Sequence, residues 1–124
     1  MILKHIALVS SSQEKADKFY SDLLGLNKSE PKVLSASLSN AIFQINEDLT
    51  IINYSNDSLI VEIFILHDYQ NKVTSIAHTC IEVSDFDDFI NKCKEFNINI
   101  NQVPKNDKVI TFVSDFDNNL FEIK

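Results

Sequence analysis

The chain has 124 residues, 44% of them hydrophobic and 23% charged, which is the composition of an ordinary globular domain. Eighteen acidic residues oppose eleven basic ones, and the net charge of −7 argues against nucleic acid as a partner. All basic residues are lysines and there is one glycine, so neither an arginine clamp nor a glycine-rich phosphate loop is available.

The first 26 residues predict a strand followed by an amphipathic helix. Residues 4–9 alternate as a strand does, and Ser11 with Glu14 has the spacing of a capping box at the start of a helix. Gly25 follows the helix, at the position where a left-handed residue ends it. The apolar stripe of this helix consists of Ala16, Phe19, Tyr20, Leu23 and Leu24.

The next forty or so residues are β-like. Residues 32–38 predict a weak strand, and 39–45 fit either a strand or a short helical turn. Firmer strands are predicted at 49–54 and 59–66, joined by the polar turn at 55–58. Residues 68–74 are polar and predict a linker.

The second half repeats this plan. A strand at 76–83 leads to Ser84 as the cap of a second helix, which is followed by strands at 98–103, 109–113 and 120–123. The apolar stripe of the second helix is Phe86, Phe89, Ile90, Cys93 and Phe96. We therefore predict an α+β fold of two tandem βαβββ modules, about 1–67 and 75–124, in a single domain of residues 1–124.

Four potential metal ligands occupy matching places in the two modules. His5 and His78 lie in the first strands, 73 residues apart, and Glu62 and Glu122 lie in the last strands. The apolar run LIVEIFIL around Glu62 predicts a buried carboxylate, which needs a compensating partner. Two imidazoles and two carboxylates suit Ni, Co, Zn, Mn or Fe(II), although the sequence does not distinguish them.

Each of these residues also has a simpler interpretation. A histidine in a strand is more often hydrogen-bonded in the core or at an edge than a ligand. Glu62 fits an outward position on an edge strand, and Glu122 fits a solvated position near the C-terminus. The matching places of the four residues in the two modules favour the metal site.

Other residues share the strand face of the predicted ligands and are candidates to line a cleft. Cys80 has two interpretations, a reactive thiol near the metal or a small buried filler, and the second is favoured. The full cleft-lining set is Ala7, Val9, Ile60, Phe64, Cys80 and Leu120.

The cysteine content and the absence of a targeting pattern indicate the compartment. Cys80 and Cys93 do not form a CxxC pair, which favours two free thiols over a disulfide. No apolar run reaches the roughly 20 residues of a membrane span, and residues 1–5 have no signal-peptide pattern. We expect a cytoplasmic protein without a membrane partner.

Five segments together carry a resemblance that covers the whole chain. They read HIALV from residue 5, FYSDLLGL from 19, VEIF from 61, HTCIEV from 78 and SDFDNNLFEIK from 114. In this order and spacing the chain resembles the glyoxalase/vicinal-oxygen-chelate superfamily, which includes bleomycin-resistance proteins and dioxygenases. The last segment has Phe116 and Asn118 where that family usually has proline and glycine, and asparagine tolerates positive φ.

The resemblance implies a fold, a metal site and an activity. Two βαβββ modules form a curled mixed sheet and a cleft that chelates a divalent metal. His5, Glu62, His78 and Glu122 match the family's ligand positions, and the set looks most like glyoxalase I. The implied reaction converts a 2-oxoaldehyde–thiol hemithioacetal, as in methylglyoxal detoxification, to a 2-hydroxyacyl thioester through a metal-bound enediolate. Glu122 is the implied base, with Glu62 as its counterpart.

The resemblance also implies a small-molecule substrate, a thiol co-substrate and a homodimer, with modules that pair within one chain or between two. Val9 stands where glyoxalase I usually has an arginine for the glutathione carboxylate, so the resemblance does not identify the thiol. Two alternatives remain. One is a fosfomycin-type thiol transferase, and the other is a non-catalytic protein that binds an antibiotic or another small molecule.

Overall fold

The computed structural model describes residues 1–70 and 76–124. They form two compact units, Met1–Tyr69 and Gln70–Lys124, each built on its own β-sheet. The predicted α+β class with two tandem βαβββ modules is confirmed. None of the described helices combines the length and apolar character needed to span a bilayer.

The first unit contains five strands and two helices. The first helix begins at Gln13 as an α-helix and continues as a π-helix over Asp17–Leu23. In chain order the elements are β1 (Ile6–Ser10), α1 (Gln13–Leu23 in its α and π parts), β2 (Asn27–Lys28), β3 (Lys32–Leu34), α2 (Ala36–Phe43), β4 (Leu49–Ser55) and β5 (Ile60–Ile65).

The helix α1 is capped one residue later than the sequence predicts. Ser12, not Ser11, is the N-cap, and its hydroxyl accepts a hydrogen bond from the Lys15 amide at 3.2 Å. Three consecutive serines offer the same chemistry, so the pattern alone does not select among them. Gly25 has a φ of +70°, which confirms the predicted left-handed residue after the helix.

The predicted strand at 32–38 is wrong after Leu34, because a helix begins there. The Ser35 hydroxyl accepts a hydrogen bond from the Leu38 amide at 3.4 Å, and an Asp48 carboxylate oxygen accepts one from the Ala36 amide at 2.7 Å. These two acceptors satisfy amides that a first helical turn leaves unpaired. The ambiguous stretch at 39–45 is therefore mostly helical, and Gln44 ends the helix with a φ of 60°.

The first sheet has the strand order β1-β5-β4-β2, with β3 also paired to β4. Only the β1–β5 pair is parallel. Side chains alternate between the two faces of a sheet. One face is fully buried and carries Ile52, Tyr54, Val61 and Ile63, whereas the other face carries Glu62.

A hydrogen-bonded carboxylate ties this core to α1. The Tyr54 hydroxyl donates to Asp17 at 2.7 Å, and the Lys28 ammonium donates to the other carboxylate oxygen at 2.8 Å. Burial favours the protonated form of Asp17, but these hydrogen bonds outweigh it and hold the pKa below its ordinary value of 3.8. The same burial and the Asp17 charge raise the pKa of Tyr54, which stays protonated.

Over residues 76–124 the second unit forms four strands and one helix. Its elements are β6 (Thr79–Ile81), α3 (Phe86–Glu95), β7 (Asn99–Lys105), β8 (Lys108–Ser114) and β9 (Leu120–Ile123), in the sheet order β6-β9-β8-β7. The predicted strand at 76–83 is thus shorter than expected. The predicted linker and the start of the second module fall largely on residues 71–75, outside the described residues.

Two further boundaries in the second unit differ from the sequence prediction. Asp85, not Ser84, caps α3, and its carboxylate accepts a hydrogen bond from the Asp88 amide at 2.9 Å. The strand β7 continues through Pro104, where the prediction ends it. A proline is tolerated there because β7 is the edge strand, so the missing N–H does not face a neighbour.

The turn before β9 is held by one buried carboxylate. An Asp115 oxygen accepts hydrogen bonds from the amides of Asp117 and Asn119, each at 2.9 Å. Asn118 has a φ of 64°, which confirms that asparagine supplies the conformation for which glycine is usually used. The turn thereby delivers β9, with Glu122, into the centre of the sheet.

Replacing Tyr54 with phenylalanine should lower the free energy of unfolding by about 1–2 kcal/mol at neutral pH, because Asp17 loses a donor. Asp17 has a depressed folded-state pKa, so its contribution is present above 3.8 and is lost as the pH falls through the folded value. Urea unfolding should therefore show a smaller effect of Tyr54→Phe near pH 3 than at pH 7.

A double-mutant cycle provides the control for this prediction. In a chain that already carries Asp17→Ala, Tyr54→Phe should cost little or should stabilise, because the buried hydroxyl has lost that acceptor. An equal cost of Tyr54→Phe in both backgrounds would contradict the assigned interaction.

Candidate metal centre

The first half of the candidate site comes from the parallel pairing of β1 with β5. In this register Ala7 lies opposite Glu62, and His5 lies two residues before Ala7, immediately before the strand begins. Residues two apart on an extended chain point to the same side. The His5 Nε2 atom accordingly lies 3.5 Å from a Glu62 carboxylate oxygen.

The second half repeats this geometry in the other unit. Cys80 of β6 lies opposite Glu122 of β9, again in a parallel pair, and His78 lies two residues before Cys80. The His78 Nε2 atom is 3.8 Å from a Glu122 carboxylate oxygen. Both histidines therefore lie just before the first strand of their unit. The sequence prediction, which places them within these strands, is wrong on this point.

The orientation of the His78 ring defines its tautomer. Its Nδ1 atom is 2.8 Å from the Ile76 carbonyl oxygen, which can only accept a hydrogen bond. Nδ1 therefore carries the proton, and in the neutral ring Nε2 presents a lone pair toward the Glu122 carboxylate. In that form the Nε2 lone pair is available to a metal ion, whereas a protonated ring would donate from Nε2 to the carboxylate. The Phe112 ring packs edge-on against the imidazole, with 5.2 Å between centroids.

Neither glutamate matches its simplest sequence interpretation. β5 lies between β1 and β4, so the edge-strand interpretation of Glu62 is wrong. Its side chain is also 24% exposed rather than buried, because it lies on the face opposite the core. Glu122 is 22% exposed on a central strand, which excludes a fully solvated C-terminal position. Both carboxylates are thus accessible to a ligand and anchored by strands on both sides.

A lysine lies beside one of the two pairs. The Lys124 ammonium is 3.6 Å from the second carboxylate oxygen of Glu122, and its side chain is largely exposed. A depression of about 830 Å³ in this unit reaches Glu122 and Lys124, and also includes Lys105 and Lys108. One lysine therefore contacts the Glu122 carboxylate, and two further lysines line the same depression.

The cleft-lining candidates lie on the strands that carry these pairs. By register, Val9 lies opposite Phe64 and Leu120 lies opposite Ser114. Ile60, two residues before Glu62, is partly exposed. Cys80 is exposed, so its interpretation as a buried filler is wrong.

Both cysteines are free thiols, as predicted. Burial raises the pKa of the Cys93 thiol to about 11, so this residue stays protonated within the second unit.

The structure brings the four predicted ligands together as two pairs, His5 with Glu62 and His78 with Glu122. Across residues 1–70 and 76–124, no unit by itself gathers three or more His, Cys, Asp or Glu side chains in a metal-binding group. Each unit thus holds one half of the predicted ligand set. The convergence of both pairs on one ion stays a prediction.

Two features of the first unit are missed by the sequence prediction. Asn53 lies opposite Glu62 on β4, and its buried side-chain oxygen has no hydrogen-bond partner among the described residues. A polar amide in the apolar strand LTIINYS is the signal that could have identified it. The second feature is an apolar cavity beside α2, which the ambiguous pattern at 39–45 concealed.

Comparison with known proteins identifies one family over almost the whole chain. The family described as Glyoxalase/Bleomycin resistance protein/Dioxygenase superfamily matches residues 2–123. No curated protein sequence matches the chain significantly.

Solved structures show the same fold at low sequence identity. The fosfomycin resistance protein FosX from Listeria monocytogenes has a TM-score of 0.72 and 17% identity, covering 99% of this chain and 91% of its own. A glyoxalase family protein from Enterococcus faecalis has a TM-score of 0.71 and 19% identity, with 98% and 95% covered. A FosX mutant from Listeria monocytogenes complexed with Mn(II) and 1S,2S-dihydroxypropylphosphonic acid has a TM-score of 0.70 and 16% identity, with 99% and 90% covered.

These structures establish the fold alone, and the finer likeness to glyoxalase I stays a prediction. The match of the family to nearly the entire sequence establishes the relationship. The chain belongs to the Glyoxalase/Bleomycin resistance protein/Dioxygenase superfamily.

Proposed function

We propose that His5, Glu62, His78 and Glu122 bind one divalent metal ion, with both pairs contributed by one chain or by two copies. We further propose that the protein is a metal-dependent lyase of glyoxalase I type. It would convert a 2-oxoaldehyde–thiol hemithioacetal to a 2-hydroxyacyl thioester. The observation that carries this proposal is the repeated register of the two units, in which each glutamate faces a residue two positions after a histidine.

The chemistry of the four side chains fits a divalent metal. Two imidazole nitrogens and two carboxylates suit Mn, Fe(II), Co, Ni or Zn. A neutral imidazole with a lone pair on Nε2 is the form of histidine that coordinates a metal. At His78 the hydrogen bond from Nδ1 to the Ile76 carbonyl favours this form and orients the ring. When bound, such an ion would act as a Lewis acid toward two adjacent substrate oxygens.

The protein's own part in the reaction is proton transfer. The Glu122 carboxylate would accept the proton from the carbon that bears the hydroxyl and the sulfur, and would return it to the neighbouring carbonyl carbon. The hydroxyl proton would pass to the former carbonyl oxygen, so that the first carbon becomes the thioester carbonyl and the second bears the hydroxyl. The substrate is isomerised without an external oxidant or reductant. The pairing of Glu122 to strands on both sides holds the carboxylate in place for both transfers. Glu62 is its counterpart in the first unit.

An acidic thiol co-substrate would be bound by lysines and not by an arginine. Val9 cannot hold a carboxylate, and the chain contains no arginine. Lys105, Lys108 and Lys124 line the depression that reaches Glu122, so an acidic thiol would meet ammonium groups there. Lysines act as point charges and orient a carboxylate less strictly than an arginine fork.

A second candidate function is favoured by the structural neighbours. FosX is a fosfomycin resistance protein, and one FosX structure holds Mn(II) with a compound that has two adjacent hydroxyls. A fosfomycin-directed activity, including thiol transfer, would use the same kind of metal site. The absence of arginine counts against it, since arginine is the residue best suited to bidentate binding of a phosphonate.

We also propose that the protein forms a homodimer. Exposed apolar residues lie two positions before each histidine, with Leu3 at 78% and Ile76 at 93% of full exposure. Exposed apolar side chains grouped beside a site often mark a protein interface. Light scattering at micromolar concentration should give twice the chain mass, and a monomer mass would contradict this proposal.

Metal binding should raise thermal stability. At about 100 times the dissociation constant, an ion that binds only the folded protein adds about 2.7 kcal/mol, or roughly 10 °C in melting temperature for a chain of this size. Calorimetry with Mn(II), Co(II), Ni(II) and Zn(II) should give one ion per chain. A chelator should reverse the shift.

Single variants distinguish one shared site from two separate ones. His5→Ala and His78→Ala should each weaken binding of the same single ion. His67→Ala is the matched control, because His67 is exposed and outside both pairs. If each of the two variants instead left half of the binding capacity at unchanged affinity, the shared site would be wrong. If no metal bound, the non-catalytic binder would replace the enzyme.

The activity prediction concerns Glu122. With methylglyoxal and a panel of cellular thiols, the metal-loaded protein should form a thioester, and Glu122→Gln should lower kcat by about 10²–10⁴-fold. Glu95→Gln on α3 is the control and should leave the rate unchanged. Consumption of fosfomycin without thioester formation would favour the second candidate instead.

A further inference from the structure

The first unit contains a cavity on the sheet face that carries Glu62. Its volume is about 200 Å³, and every residue that lines it is apolar. The residues that matter for the argument are Ala7, Val9, Phe43, Ile45, Phe64 and Leu66.

The cavity adjoins the His5–Glu62 pair. Ala7, one of its lining residues, is the cross-strand partner of Glu62, and Val9 is the partner of Phe64. Because side chains alternate along a strand, Phe64 projects from the same face as Glu62. A molecule held at the carboxylate of Glu62 would therefore have the cavity as its immediate neighbour.

One wall of the cavity is formed by the C-terminal end of α2. The Phe43 ring packs edge-on against Phe64 with 5.3 Å between centroids, and Ile45 follows directly after the helix. This helix lies between β3 and β4. In the second unit, the corresponding strands β7 and β8 form a tight hairpin in which Lys105 pairs with Lys108. The helix α2 is thus the element by which the first unit departs from the repeat.

The size and lining of the cavity define what it can accept. An engineered apolar cavity of about 150 Å³ binds benzene, so this cavity has room for a phenyl ring or a branched alkyl group. It is smaller than the roughly 300 Å³ at which sites for complete drug-sized ligands begin. Its lining offers no side-chain hydrogen-bonding group, so it suits a substituent and not the reacting oxygens.

We propose that this cavity binds an apolar substituent of the substrate, an alkyl or phenyl group attached next to the two adjacent oxygens. This inference rests on the proposed metal site and names the substrate class for it. A methyl group would leave most of the cavity empty. Larger 2-oxoaldehydes, and other vicinal-oxygen compounds with an apolar tail, are therefore the preferred ligands.

Hydroxamates test the proposal through binding alone, because they present two adjacent oxygens and can carry tails of any length. On the Co(II)-loaded protein, affinity should rise about fourfold per methylene from acetohydroxamate to hexanohydroxamate, the factor that corresponds to about 0.8 kcal/mol per buried methylene. Benzohydroxamate should also bind more tightly than acetohydroxamate. Optical titration of the bound cobalt gives the dissociation constants.

Val9→Phe should fill the cavity and abolish the dependence on tail length. A circular dichroism spectrum and a melting temperature like those of the parent chain would show that the variant is folded. Val33→Phe is the matched control, since Val33 is 70% exposed on β3 of the same unit and outside the cavity. It should keep the full dependence on tail length.

A second probe makes the result independent of the metal. Toluene added to the metal-free protein should shift NMR signals of Val9, Phe43 and Phe64, and should not do so in Val9→Phe. Toluene binding without acetohydroxamate binding would support the cavity and overturn the proposed metal site. Acetohydroxamate binding with no gain from longer tails and no toluene shifts would overturn the cavity and leave the metal site standing.

Discussion

The pairing of the first strand of each unit with the last one, in parallel, is the constraint on which the candidate site depends. A parallel pair fixes which residues lie opposite each other, and in both units that register places a glutamate across from the residue two positions after a histidine. The two resulting nitrogen–oxygen separations, 3.5 and 3.8 Å, are nearly equal. The duplicated fold thus gives each unit one pair of neighbouring histidine and glutamate side chains.

The sequence predicts much of this arrangement because duplication and periodicity are visible in one chain. The strand–helix order, the matching histidines and the polar turn at Asp115 all follow from local patterns. The exposure of the Glu62 side chain does not follow from local patterns, because apolar residues occupy both faces of β5 and conceal which face packs in the core. The register that pairs Ala7 with Glu62 is also a long-range property, which no local pattern specifies.

Local patterns fail at α2 for a physical reason. Residues 32–38 alternate well enough for a strand, but helix formation there depends on an acceptor twelve residues away, the Asp48 carboxylate that receives the Ala36 amide. Tertiary capping of this kind overrides intrinsic propensity. The consequence reaches beyond α2 itself, because residues at and just after the end of this helix line the apolar cavity of the first unit.

The two units differ in the side chain that follows the glutamate on its side of the strand. Two residues after Glu62 on its strand is the apolar Phe64. Beside Glu122 the equivalent position is Lys124, whose ammonium is 3.6 Å from the carboxylate. The first His–Glu pair is therefore flanked by an apolar side chain, and the second by a cationic one. Within each unit the residue two positions after the glutamate sets the chemistry beside the pair, because residues two apart on an extended chain project to the same side.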